Sequence, residues 1–287
     1  KTFLIFLAES HWCYEAQVCS MGCKGPRNWK HIYSECDGLQ QSPVNIKTKN
    51  TTYNSLLRPF QFKGYNVTHT LPITNNGHSA PVQVDLPTQA HISGGGLSGV
   101  YKAKQLHFHW GSAGVAGSEH TVDGERYLME VLHIMNVKNA QVDLPTGIEI
   151  SGGGLSETYI AAQFHFHWGS DGEKYPMEIN IINCILDGYK NFSATLDKLI
   201  PINELKVYYR YNGSLTTPPC NETVIWTLFN TTIKLSKLQL QAFHNSLNFT
   251  EKQRMVENFR PVQKRSDRIV YTSSSQVILS SFQSLLI

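Results

Sequence analysis

Gln105-Leu106-His107-Phe108-His109-Trp110-Gly111 is the stretch from which the rest of the chain is read outward. It alternates apolar or aromatic residues with polar ones and closes on glycine, which predicts a β-strand. In a strand, residues i and i+2 project to the same face, so His107 and His109 present two imidazoles side by side. Two such rings are two corners of a tetrahedral zinc site. A third ring from a neighbouring strand would leave the fourth corner for water. His133, in Met129-Glu130-Val131-Leu132-His133, is the candidate for that third ligand. Ligating histidines usually donate their second N–H to an acceptor. Gln105, two residues before His107, and Glu130, on the strand of His133, are candidates for that task. By itself the HxH pattern is weak, because two solvated surface histidines are the commoner outcome.

Strands are also predicted at Val82-x-Val84, Tyr127-x-Met129-x-Val131 and Val224 to Phe229, all short and bounded by Gly, Asn or Pro. Helices are expected only over Ser193 to Leu199 and Ser236 to Leu247, the second with Ser236 as N-cap. The expected fold is therefore mainly β with few short helices, in one sheet-based domain. The chain also repeats itself. Gln83 to Thr88, Ser93 to Ser98 and His107 to Ser112 return 58 residues later as Gln141 to Thr146, Ser151 to Ser156 and His165 to Ser170. The duplicated block reads as 83–130 and 141–178. Two unequal copies are too few for a solenoid, which needs about three stackable units. The second copy has no counterpart of Glu119 and carries Asn180 in Glu178-Ile179-Asn180, where a ligand would stand. A complete site is thus expected from the first copy. His165 and His167 are expected to matter only through stability.

The 287 residues are 41% hydrophobic and 16% charged, which excludes a disordered chain. With 25 basic against 22 acidic side chains, the net charge of +3 gives no nucleic-acid-binding face. No apolar run reaches the roughly 18 residues that a membrane-spanning helix needs. Cys13, Cys19, Cys23, Cys36, Cys184 and Cys220 lack the CxxC spacing of a structural zinc site, so disulfides are expected. Sequons at Asn50, Asn66, Asn191, Asn212, Asn221, Asn230 and Asn248 favour the secretory route. Residues 1–10 read as the remnant of a signal peptide. Residues 273–287 read as a tail with a faint, degraded lipid-anchor signal, beside the equal alternative of an ordinary terminal strand.

Six motifs together resemble the alpha-carbonic anhydrases, especially their extracellular, disulfide-bonded, membrane-anchored branch. They are Gln41-Ser42-Pro43-Val44-Asn45-Ile46, Asn75-Asn76-Gly77-His78, Gln105 to Gly111, Gly117-Ser118-Glu119-His120-Thr121-Val122, Gly213-Ser214-Leu215-Thr216-Thr217-Pro218-Pro219 and Asn258-Phe259-Arg260-Pro261. The likeness runs from about Ser10 to Val270, within a domain placed at 11–272. It implies a large, twisted, mostly antiparallel central sheet, disturbed by the duplicated block. It implies a monomeric enzyme that binds Zn²⁺ and hydrates carbon dioxide to bicarbonate, secreted or held on the outer face of the plasma membrane, with a lipid anchor as an open expectation. A catalytically inactive extracellular binding module is the alternative. By resemblance, His107, His109 and His133 bind zinc. Thr216 passes its hydroxyl proton to Glu119 and, with Thr217, holds the anion. Leu215 and Trp226 line the carbon dioxide pocket, and His78 shuttles protons. Cys36 pairs with Cys220, and Cys13 with Cys23 or Cys19.

The chain departs from the family pattern at the third ligand. The family has Glu-x-His, whereas here the spacing is Glu130-Val131-Leu132-His133. An odd spacing puts His133 on the other face of the strand. Only a β-bulge or a shifted register would return it to the metal. The family's apolar core strand that follows the third ligand has no clear match between Asn183 and Phe192, and the duplicated block is expected either to take its place or to hang outside the sheet.

Overall fold

The structure, a computed structural model, describes residues 11–17, 22–74, 83–86, 89–137, 160–170, 191–235, 237–250 and 253–275. The signal-like segment 1–10, His78, Cys19, Cys184, Ser236, Asn180, the rest of the second copy apart from 160–170, and the tail beyond 275 lie outside the described residues.

Ten strands form the main path of a twelve-stranded sheet. In chain order they are β1 (Thr52–Tyr53), β2 (Thr68–Thr74), β3 (Gln83–Asp85), β4 (Tyr101–Trp110), β5 (Met129–Val137), β6 (Ile160–Ser170), β7 (Asn191–Thr195), β8 (Tyr208–Gly213), β9 (Val224–Leu235) and β10 (Tyr271–Thr272). Across the sheet they run β7-β2-β3-β4-β5-β6-β9-β8-β10-β1. The pairs are antiparallel except β6 with β9 and β10 with β1. The expected large, mostly antiparallel sheet is the observed one. One α-helix, α1 (Lys237–Ser246), lies among the described residues, where the sequence pattern placed it. No described helix is long and apolar enough to cross a membrane.

The expected helix over Ser193 to Leu199 is instead the edge strand β7, followed by a 3₁₀ turn at Leu196–Lys198. Phe192 and Ala194 are buried while Asn191 and Ser193 are exposed. This period-two pattern pairs β7 with β2, and the pairing overrides local propensity.

β4 explains itself from its sequence. Lys102 and Lys104 are exposed between buried Tyr101 and Ala103, and from Leu106 to Trp110 every residue is buried. The strand enters from a half-covered margin and then has both faces covered. Alternate residues of β5 go to different cores. Val131 and Met135 join the larger apolar cluster with Leu106 and Phe108. Leu132 joins a smaller cluster with Tyr211, Trp226 and Leu228. β6 carries the second HFHWGS and lies between β5 and β9, so this strand takes the interior place for which the sequence offered no other.

Among the described residues two disulfides are present. Cys36–Cys220 joins residues 184 apart, and Cys13–Cys23 closes the N-terminal segment. The first ties the 3₁₀ turn Ser34–Asp37 to the loop that bears Thr216 and Thr217.

Candidate active site

His107 and His109 emerge from β4 on the same face, as the strand period requires. Their ring centroids are 5.2 Å apart and nearly perpendicular. Both are buried. His109 Nδ1 lies 2.6 Å from the carbonyl oxygen of Asn258. A carbonyl only accepts, so Nδ1 carries the proton and Nε2 keeps the lone pair. The Gln105 amide nitrogen lies 3.4 Å from His107 Nδ1; an amide N–H donates, so Gln105 is not placed as the acceptor of a His107 N–H that the sequence reading expected. Burial and the neighbouring His109 push the His107 pKa well below its usual value, which keeps this imidazole neutral.

Glu119 faces this pair. Its Oε1 accepts the backbone N–H of Arg260 at 2.9 Å. Its Oε2 lies 3.5 Å from His109 Nε2, both side chains fully buried. Neither atom has a hydrogen-bond partner. An imidazole nitrogen and a carboxylate oxygen left together without partners call for a proton or a cation between them. The expected hydrogen bond from Thr216 to Glu119 is not formed, because Oε2 is turned toward His109 instead. Thr216 itself is buried, on a loop held by Leu215 N–H to Asn221 O and Cys220 N–H to Thr217 O. Leu215 packs against the smaller core, whose members include Trp226 and Leu132. Trp226 donates its indole N–H to Ser214 O at 3.0 Å.

The reading of His133 is corrected by the register. Leu132 stands opposite His107, and Glu130 opposite His109. Directly opposed residues share a face, so position 132 occupies the metal-facing place and His133, opposite Leu106, lies on the other side. A register shift does occur on this pair, but between Ile134 and Met135, beyond His133, where it cannot turn that ring round. His133 is fully buried with its Nε2 3.4 Å from the Tyr65 hydroxyl, and burial lowers its pKa to about 3. The set His107, His109 and His133 therefore does not fit one Zn²⁺. Two of its members do. Among the described residues no three His, Cys, Asp or Glu side chains gather to hold a metal.

Glu130, expected to orient His133, holds His120 instead. Its two oxygens take the His120 backbone N–H at 2.8 Å and Nδ1 at 2.9 Å. His120 Nε2 lies 2.6 Å from the Tyr211 hydroxyl, which meets Ser42 Oγ at 2.9 Å. Burial lowers the His120 pKa to about 3 and raises that of Tyr211. Sequence reasoning missed this polar chain under the site. Ser42 and His120 were within quoted motifs, but nothing in their spacing joined them to Tyr211.

Comparison with known proteins agrees with the fold. The sequence matches the description "Eukaryotic-type carbonic anhydrase" over residues 24–144, 133–198 and 186–274. It is 37% identical over 272 residues to carbonic anhydrase 4 of Oryctolagus cuniculus, covering 93% of this chain and 85% of that protein. It is 36% identical over 281 residues to carbonic anhydrase 12 of Homo sapiens, covering 93% and 74%. With carbonic anhydrase 6 of Bos taurus it shares 34% over 276 residues, covering 92% and 80%.

Proposed function

This chain belongs to the eukaryotic-type carbonic anhydrase family, and from that premise we propose that it interconverts carbon dioxide and bicarbonate. The observation that carries the reading is the unpartnered Nε2 of His109, aimed at a carboxylate that Arg260 N–H holds in place. Nε2 of His107 and of His109 would anchor Zn²⁺. When bound, zinc supplies hydroxide at neutral pH by lowering the pKa of water to about 7, a value that comes from carbonic anhydrase itself.

The chain's own residues do the rest. Glu119 accepts the hydroxyl proton of Thr216 once its Oε2 turns from His109. Thr216 and Thr217 hold the bicarbonate oxygens, and Leu215 and Trp226 give carbon dioxide an apolar wall. His78 carries protons to buffer, a task for which an unperturbed pKa near 6.5 is suited. Two disulfides support an oxidising compartment. A secreted or outer-surface location, glycosylation at the sequons, a lipid anchor and a monomeric state complete the reading.

The test is zinc content by atomic emission together with stopped-flow hydration of carbon dioxide. Zinc-dependent acceleration is expected, abolished in His107→Ala. A folded, zinc-loaded protein that does not accelerate hydration over buffer would instead mark an inactive binding module.

A further inference from the structure

We propose that N-linked glycans on Asn50 and Asn191 cover the two open edges of the sheet and keep copies of this chain from pairing edge to edge. The proposal rests on the secretory, glycosylated reading above and deepens it, by giving two of the sequons a task.

The sheet does not close on itself. Its main path ends at β7 on one side and at β1 on the other. Among the described residues β7 pairs only with β2, and β1 only with β10. An end strand turns a row of backbone N–H and C=O groups outward, which is a template for another chain. Folded proteins guard such edges with Lys or Pro on the strand, with bulges, or with very short strands. β7 reads Asn-Phe-Ser-Ala-Thr, with no charge and no proline, and it keeps a single register along β2. β1 is guarded in part by being two residues long, but Tyr53 within it and Leu56 just beyond it are 51% and 70% exposed.

Both edges carry a sequon. Asn191-Phe192-Ser193 opens β7, and Asn50-Thr51-Thr52 runs from a 3₁₀ turn into β1. Asn191 and Ser193 share the exposed face of β7, while Phe192 and Ala194 face the core. Asn50 and Thr52 are exposed as well. A glycan at either place stands in solvent beside unpaired backbone and displaces nothing from the core. The sequon at Asn221 is placed differently. Its Asn221 Oδ1 and Thr223 Oγ1 are buried, and Asn221 O holds the Leu215 N–H. A glycan there would push apart the loop that bears Thr216.

The modification is a group transfer from a lipid pyrophosphate-linked oligosaccharide, the donor of the secretory route. Nδ2 of the asparagine bonds to the anomeric carbon of the first sugar. The bond from that carbon to the pyrophosphate oxygen breaks, the pyrophosphate leaves with the electron pair, and one amide proton passes to a base of the transferase.

The experiment is secretory expression in animal cells, with glycopeptide mapping by mass spectrometry and sedimentation velocity over a concentration series. Asn50 and Asn191 should both be occupied, and the parent should sediment as a monomer throughout. Asn50→Gln/Asn191→Gln should shift to dimers and larger species as concentration rises, and Thr52→Ala/Ser193→Ala, which keeps both asparagines, should do the same. Asn230→Gln removes an exposed sequon from the interior strand β9 and should stay monomeric. If a variant is not secreted, the folded parent, made with high-mannose glycans and trimmed to single sugars by an endoglycosidase, should show the same shift. Asn50 or Asn191 left bare while other sequons are occupied overturns this proposal alone. So does a double variant or a trimmed parent that stays monomeric, or an Asn230→Gln variant that associates equally. A secreted chain with no sequon occupied overturns the glycosylated reading together with it.

Discussion

His133→Phe in the metal-free protein tests whether His133 is a neutral residue of the core. Its ring is fully buried against Tyr65, and burial depresses its pKa to about 3 from the usual 6.5. A base whose folded pKa is depressed leaves the unfolded chain binding the extra proton. Stability is therefore complete above the unfolded value of about 6.5 and is lost as pH falls from there toward about 3. Each pH unit well inside that window costs about 1.4 kcal/mol per histidine, so the step from pH 7 to pH 5 costs about 2 kcal/mol for His133. His120, depressed to about 3 by the same cause, contributes a similar amount, and His107 adds to it. Phenylalanine fills the space without a titrating group. Urea unfolding at pH 7 and pH 5, at matched ionic strength, should show the variant losing about 2 kcal/mol less than the parent over that step. A shift in stability at pH 7 itself does not bear on the reading, which lies in the difference between the two pH values. If variant and parent lose the same amount, His133 is not a neutral core residue and its placement opposite Leu106 is wrong.

Two further perturbations probe the same region. Leu132→His should tighten zinc binding in a competition with a chromophoric chelator, because position 132 stands beside His107 on the metal face; it should also lower apo stability by about 2–5 kcal/mol as Leu132 leaves the smaller core. No gain in affinity would contradict the placement of position 132. Gly117→Ala should fail to fold or lose most of its stability in thermal denaturation, since a Cβ at 117 would fall on the backbone of Trp110 and Gly111, directly after His109 on β4; a near-parental Tm would show that the close approach is not required.

The sequence made the face of His107 and His109 legible because a strand has only one period to obey. The same rule, applied to the odd spacing from Glu130, already put His133 on the wrong side unless a bulge intervened. The structure has its irregularity four residues after Glu130, too late to help. Position along one strand was readable, but pairing across strands was not. Nothing local in Gln163 to Ser170 says whether the second HFHWGS joins the sheet or hangs from it. That depends on β5 and β9 each offering an unpaired edge, a long-range property. The helix expected at Ser193 failed for the same reason, since the edge of β2 captured it.

The polar chain under the site shows what this costs a sequence reading in chemical terms. Glu130 was assigned to orient a ligand because ligating histidines need an acceptor for their second N–H and Glu130 lies on the strand of His133. Here both of its oxygens serve His120, and His120 in turn anchors Tyr211 and Ser42. Those contacts bind β5 to the loop after Glu119 and to β8, and they fix the register of β5 whether or not a metal is present. A strand so fixed cannot slip to recover a misplaced histidine without leaving buried polar groups unpaired, at about 1–3 kcal/mol each.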